Sequence, residues 1–128
     1  MLDIPAQPGD IEGRHTAEFL RVKGMAERGV PSAQHSLGFM YASGQGVPQN
    51  YELAVAWYRM AASADLELAQ YNLGVMYSAG QGVQRDLVEA YAWLQRAGGA
   101  GVAAASGYLK KIAARMEPQL LAQVQASS

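Results

Sequence analysis

The sequence predicts an all-α protein built by stacking helix-turn-helix units. Three observations carry this reading. The segment AQHSLGFMYASGQGV, starting at Ala33, returns as AQYNLGVMYSAGQGV, starting at Ala69, 36 residues later. Within each copy the apolar residues recur at the 3.6-residue period of a helix. No segment alternates apolar and polar residues as a strand does, so no sheet is expected.

The elements follow in order. Pro5, Pro8, Gly9 and Gly13 make residues 1–13 a poor helix or strand candidate, and an irregular N-terminal arm is expected there. Residues 14–128 then form a single domain. HTAEFLRVKGMAER fills the place of a second-type helix, so residues 15–32 make half a unit. Residues 33–68 and 69–104 are the full units, identical at fifteen positions in a gapless alignment. In each, Ala33, Leu37, Met40 and Tyr41 (or Ala69, Leu73, Met76 and Tyr77) form the stripe of a first helix. Gly44 and Gly80 then suit left-handed C-caps, and Gly46 and Gly82 allow a second unusual backbone angle. Pro48 blocks continuation of the first copy's helix. Asn50 and Asp86 are good N-caps for the second helices, and Glu89 stands near a capping box with Asp86. Ala54, Trp57, Tyr58 and Ala61 give the stripe of the second helix, and Asp65 is placed to cap the next first-type helix. Residues 102–126 read as two capping helices, the first a third first-type helix over 102–115. The second opens at Pro118, with Leu120, Leu121 and Val124 on one face. That makes about seven helices.

Composition closes off several functions. The chain has 128 residues, 50% of them hydrophobic, which excludes disorder and allows a real core. Ten basic and eleven acidic side chains give a net charge of −1 without a clustered basic face, so no nucleic-acid partner is expected. No apolar run is long enough to span a bilayer, and no membrane insertion is expected. The start MLDIPAQPGD has no leader pattern, which points to the cytoplasm, or to the periplasm or outside if the chain has been trimmed. With no cysteine, thiolate metal sites, disulfides and cysteine nucleophiles are excluded.

Catalytic chemistry is not evident either. The two histidines, His15 and His35, lie twenty residues apart in different elements, where a metal pair on one helix wants a spacing of four. No serine or zinc hydrolase signature occurs. Gly44-Gln45-Gly46 and Gly80-Gln81-Gly82 join helix to helix without a strand or a lysine, so they read as loop geometry and not as phosphate cradles. Lys110, Lys111 and Arg115 give the third first-type helix a small basic edge suited to solubility or to an acidic partner. No metal, cofactor or catalytic residue is assigned.

The string AQYNLGVMYSAGQGVQRDLVEAYAWLQRA resembles the Sel-one-like repeat family, a relative of the tetratricopeptide repeats. Leu-Gly-x-Met-Tyr, Gly-x-Gly-Val and Ala-x-x-Trp at a period of 36 carry the match over about residues 25–105. The ending ARMEPQLLAQVQA is similar to the capping helix common in bacterial members. The resemblance implies a right-handed α-α superhelix that serves as an adaptor or assembly scaffold. Some relatives staple each repeat with cysteine pairs, which are absent here. The repeat signature is Leu37, Gly38, Tyr41, Gly44, Gly46 and Trp57, with Leu73, Gly74, Tyr77, Gly80, Gly82 and Trp93 one period on.

Comparing the copies separates scaffold from display. The identical first-helix positions fall within an arc of roughly 160° at about 100° per residue, so that arc meets the same surroundings in both units. Gly38 and Gly74 lie inside it. Mid-helix glycine costs about 1 kcal/mol relative to alanine, so its recurrence predicts a close approach of two backbones. Trp57 and Trp93 lie on the shared arc of the second helix and are expected in the core. First-type helices line the concave face of tetratricopeptide-like solenoids. By that analogy the variable residues His35, Phe39, Tyr71, Asn72, Val75 and Ser78 are candidate partner contacts, unless Phe39 and Val75 fill the seam between units. The expected function is an interaction adaptor that binds a protein or peptide. The alternatives are weak self-assembly through the repeat ends, or an antitoxin-like regulator plugging one protein; an enzyme is not expected.

Overall fold

The computed structural model describes residues 8–126. Seven α-helices and no strand occur among the described residues: α1 Pro8–Glu27, α2 Pro31–Ser43, α3 Tyr51–Ser63, α4 Glu67–Ala79, α5 Leu87–Gly99, α6 Ala104–Ala113 and α7 Pro118–Ala126. Consecutive helices from α1 to α6 pack side by side, and α7 folds back onto α5. The period continues beyond the two full units. Phe19, Val55 and Tyr91, one period apart, are all buried, and so are Met40, Met76 and Ile112. Thus α1 occupies the register of a second-type helix, and α6 that of a first-type helix.

Local chemistry sets the boundaries. Gly44 and Gly80 close α2 and α4 in the left-handed region at φ 74° and 71°, each donating its N–H to the carbonyl of Met40 or Met76 at 2.8 Å. The loop then turns back. The N–H of Asn50 reaches the Tyr41 carbonyl at 2.8 Å, and that of Asp86 reaches the Tyr77 carbonyl at 3.0 Å. Both residues cap the following helix: Asn50 Oδ1 accepts from Leu53 N, and Asp86 Oδ1 from Val88 N and Glu89 N. The reciprocal half of a capping box is not needed at Asp86, because Tyr77 already satisfies its N–H. Gln34 and Gln70, identical between the copies, are buried and equivalent. Each Nε2 donates to a carbonyl in the last turn of the preceding second-type helix, Ala26 or Ala62, at 3.2 Å. Each of these carbonyls also accepts a backbone N–H of the following turn, from Gly29 or Asp65 at 3.0 Å, so the glutamine adds a second bond that ties the helix end to the next unit.

The structure departs from the sequence reading at four places. The first helix begins at Pro8, so residues 8–13 are helical rather than an irregular arm; residues 1–7 lie outside the described residues. Proline fits a helix's first turn, where its missing N–H has no partner to lose. Asp65 does not cap α4, whose cap position is held by Leu66. Instead Asp65 stands at φ 67°, where the positions one period either side carry Gly29 and Gly101 at φ 90° and 108°. Its carboxylate meets Arg96 at 3.1 Å on the surface. Trp57 and Trp93 are half-buried on the rim of the core. A shared environment does not demand full burial of so large a ring, and the Arg96 guanidinium covers Trp93 at 4.7 Å. Finally, Leu121 and Val124 pack inward from α7 while Leu120 faces solvent.

The left-handed position predicts an asymmetry. Asp65→Ala is expected to cost about 1 kcal/mol because alanine loses the local polar compensation that helps aspartate adopt this backbone. Asp65→Gly is expected to stay within about 0.5 kcal/mol of wild type. Urea denaturation of the two variants checks it.

Candidate functional site

The site is built on the first-type helices. Leu37 and Leu73 are fully buried and anchor α2 and α4, while Gly38 and Gly74 let the paired helix approach. A Cβ at Gly38 would stand 2.7 Å from the Tyr58 ring, and one at Gly74 would stand 2.7 Å from Leu94 Cγ and 3.2 Å from the Ala90 carbonyl oxygen. The close approach is therefore a side chain seated on bare helix backbone more than the backbone-to-backbone contact expected. With the inner arc fixed this way, the opposite arc is half-buried or buried on α4 and largely exposed on α2.

That arc borders a groove of about 480 Å³ between α1 and α2. Val22 and Met25 form one wall, with Glu18 and Arg21 at its edge. Ser36, Phe39 and Met40 are on the other, where His35 also lines the groove. Phe39 is 52% exposed, so it does not fill a seam. His35 is half-buried, tilted over Tyr58 with ring centroids 5.6 Å apart, and its Nε2 lies 3.0 Å from Nδ2 of Asn72 on α4. With the ring neutral, Nε2 accepts from the Asn72 amide.

The six candidate contacts do not share one condition. His35 and Phe39 line the groove. Tyr71 and Asn72 are half-buried and engaged: the Tyr71 ring meets Tyr108 edge-on at 5.7 Å, and Asn72 holds His35. Val75 is half-buried against the core. Ser78 is buried and its hydroxyl donates to the Val75 carbonyl at 2.7 Å, so it is not displayed at the surface. A serine hydroxyl in a helix readily turns back onto its own turn, which is how a polar residue enters a buried arc. The sequence reading missed Val22, Met25 and Ser36 in the groove. The 36-residue period relates Val22 to Tyr58 and Ser36 to Asn72, but the contacts that Tyr58 and Asn72 make with α2 become readable only in the structure.

Titration follows burial. Burial pushes the Tyr58 hydroxyl up to about 12, and raises Tyr71 with a smaller contribution from neighbouring Tyr108. Burial lowers His35 below the ordinary histidine value of 6.5. The unfolded chain therefore takes up this proton first as pH falls. Stability is expected to drop through the window from about 6.5 down to the folded value, and to be unaffected by this group above it. Replacing His35 by glutamine should flatten that slope in pH-dependent thermal melts.

No helix among the described residues is long and apolar enough to cross a membrane. Stacked hairpins of fixed period, each anchored by a buried leucine, define a helical-repeat protein of the solenoid class. The Sel1 repeat profile matches residues 31–66 and 67–102, two tandem copies. A crystal structure of a Sel1 repeat protein from Oxalobacter formigenes is similar at 37% identity and a TM-score of 0.74, over 76% of this chain and 28% of that one. A protective antigen present in uropathogenic Escherichia coli strains, displaying an SLR fold, is 45% identical with a TM-score of 0.62, over 62% of this chain and 17% of that one. The chain thus spans under a third of either solved relative. The chain belongs to the Sel1 repeat family, whose fold commonly mediates protein–protein interaction and is generally a non-catalytic scaffold.

Proposed function

We propose that this chain is a non-catalytic adaptor that holds a protein or peptide partner against its row of first-type helices. The carrying observation is Phe39, a large apolar side chain more than half exposed beside a groove, on a helix whose opposite face is locked by Leu37 and Gly38. Exposing such a residue on a rigid element gives no stability to the free chain. It provides a fixed apolar anchor that loses little conformational entropy on binding. Half-buried His35 stands beside it to orient polar groups of the partner.

Affinity capture with the wild-type chain, compared with Phe39→Ser, tests the reading. The expected result is a captured protein lost in Phe39→Ser while the melting temperature stays within about 2 °C, as befits a surface substitution. Retention of every captured protein by Phe39→Ser would remove this anchor and the reading with it.

A further inference from the structure

The second-type helices α3 and α5 carry different chemistry at the same positions of their outward faces. Leu53, Ala56, Trp57 and Met60 share one stripe of α3, and Glu89, Ala92, Trp93 and Arg96 the matching stripe of α5. On α5 the stripe begins and ends on a charge. On α3 it is apolar throughout: Leu53 is 40% and Met60 50% exposed, with Ala56 exposed between them. The opposite stripe of α3, with Ala54, Tyr58 and Ala61, is already buried. A helix that is apolar all round is one that has neighbours all round. The fold does not require this leucine and methionine. One period on, a helix of the same length with the same kind of cap holds Glu89 and Arg96 in their places.

The order of residues along both stripes is complementary to itself. Turn a second copy antiparallel about a two-fold axis midway between Ala56 and Trp57. Leu53 then meets Met60 of the second copy, and Ala56 meets Trp57 of the second copy. One period along the same face, Glu89 meets Arg96 of the second copy, and Ala92 meets Trp93 of the second copy. Apolar faces apolar, small faces large and acid faces base, and the symmetry makes each contact twice. Both charges are free to take part. Glu89 has no ion pair among the described residues, and Arg96, half-exposed, meets Asp65 through one nitrogen and keeps further N–H donors. We propose that two copies of this chain associate as an antiparallel two-fold dimer through the outward faces of α3 and α5. Leu53, Trp57 and Met60 form its apolar centre, where aromatic residues and methionine are favoured at interfaces. Glu89 and Arg96 form its charged flank. The first-type helices stay free to hold a partner, so the dimer stands apart from the adaptor reading.

Analytical ultracentrifugation of the full chain up to about 1 mM, where even weak complexes register, tests it. A reversible monomer–dimer equilibrium is expected. Leu53→Glu and Met60→Arg should each weaken it at least about tenfold, because each sets a charge against an apolar side chain. Both variants should fold, since α5 already holds these residues at these positions, and circular dichroism checks that they do. An equimolar mixture of the two variants should associate at least about tenfold more tightly than either alone, because the introduced acid then meets the introduced base across the axis. A wild-type chain that is monomeric at about 1 mM would overturn the proposal, as would a dimer unchanged in both variants. Single variants that lose the dimer while their mixture stays monomeric would overturn the antiparallel register. A monomeric chain whose captured protein is lost in Leu53→Glu would give the face to another protein and overturn the dimer. Phe39→Ser is expected to leave the dimer intact; its loss there would move the contact to α2 and overturn this assignment.

Discussion

Gly74→Leu is expected to cost about 3 kcal/mol or more and to lower the melting temperature by about 10 °C, if the chain folds at all. The argument is geometric. The first added atom would already stand 2.7 Å from Leu94 Cγ and 3.2 Å from the Ala90 carbonyl oxygen. Leu94 is fully buried and cannot swing into solvent, and the carbonyl is backbone. The three further carbons of leucine can enter only if α4 and α5 separate. That separation would strip contacts from Leu73 and Ala90 as well. Glycine in mid-helix gives up about 1 kcal/mol of helix propensity, which the leucine regains, so steric cost and propensity oppose each other and the steric cost wins. Circular dichroism melts of Gly74→Leu beside Gly74→Ala decide it. A leucine variant melting within a few degrees of wild type would mean that the close approach does not constrain the fold.

Much of this architecture was legible before any coordinates, and the reason is redundancy. A single Gly-x-Gly or Leu-Gly is weak evidence, but fifteen identities at one spacing force equivalent positions into equivalent surroundings. Leu37 and Leu73, both with no exposure, meet that expectation, as do the matched caps Asn50 and Asp86. What escaped the sequence lies where one copy differs or an end has no counterpart. Asp65 looked like a cap because aspartate often is one, yet Gly29 and Gly101 at the same repeat position mark it as left-handed. Trp57 and Trp93 showed that identity between copies reports a shared environment and not its depth. Ser78 differs from its partner Ala42, so it read as display, whereas a hydroxyl satisfied within its own turn can be buried. The start of α1 was hidden because its counterparts one period on, residues 44–49, form a loop. The groove was illegible for a related reason: Val22, Met25 and Ser36 differ from the residues one period on, so no identity between the copies marks them.

Leu37→Ala and Leu73→Ala test that equivalence most severely. Each leucine is fully buried at the same position of its unit. Removing it takes away most of a side chain's transfer energy and leaves a cavity, because the helices on either side are pinned by Gly38 against Tyr58 or by Gly74 against Leu94 and cannot collapse inward. A loss of about 3 kcal/mol is expected for each, within the range for such truncations. The two are expected to agree to within about 1 kcal/mol. They will not agree perfectly, because stability in a short array is shared between a unit and its neighbours, and the Leu37 unit borders the open groove while the Leu73 unit is covered on both sides. The Leu73 variant is therefore the one expected to lose more. Urea unfolding of both variants, with Trp57 and Trp93 reporting one copy each, measures the difference. A cost below about 1 kcal/mol at either site would mean that the leucine does not hold its hairpin closed, and the first-type helices would lose the rigidity on which a displayed Phe39 depends.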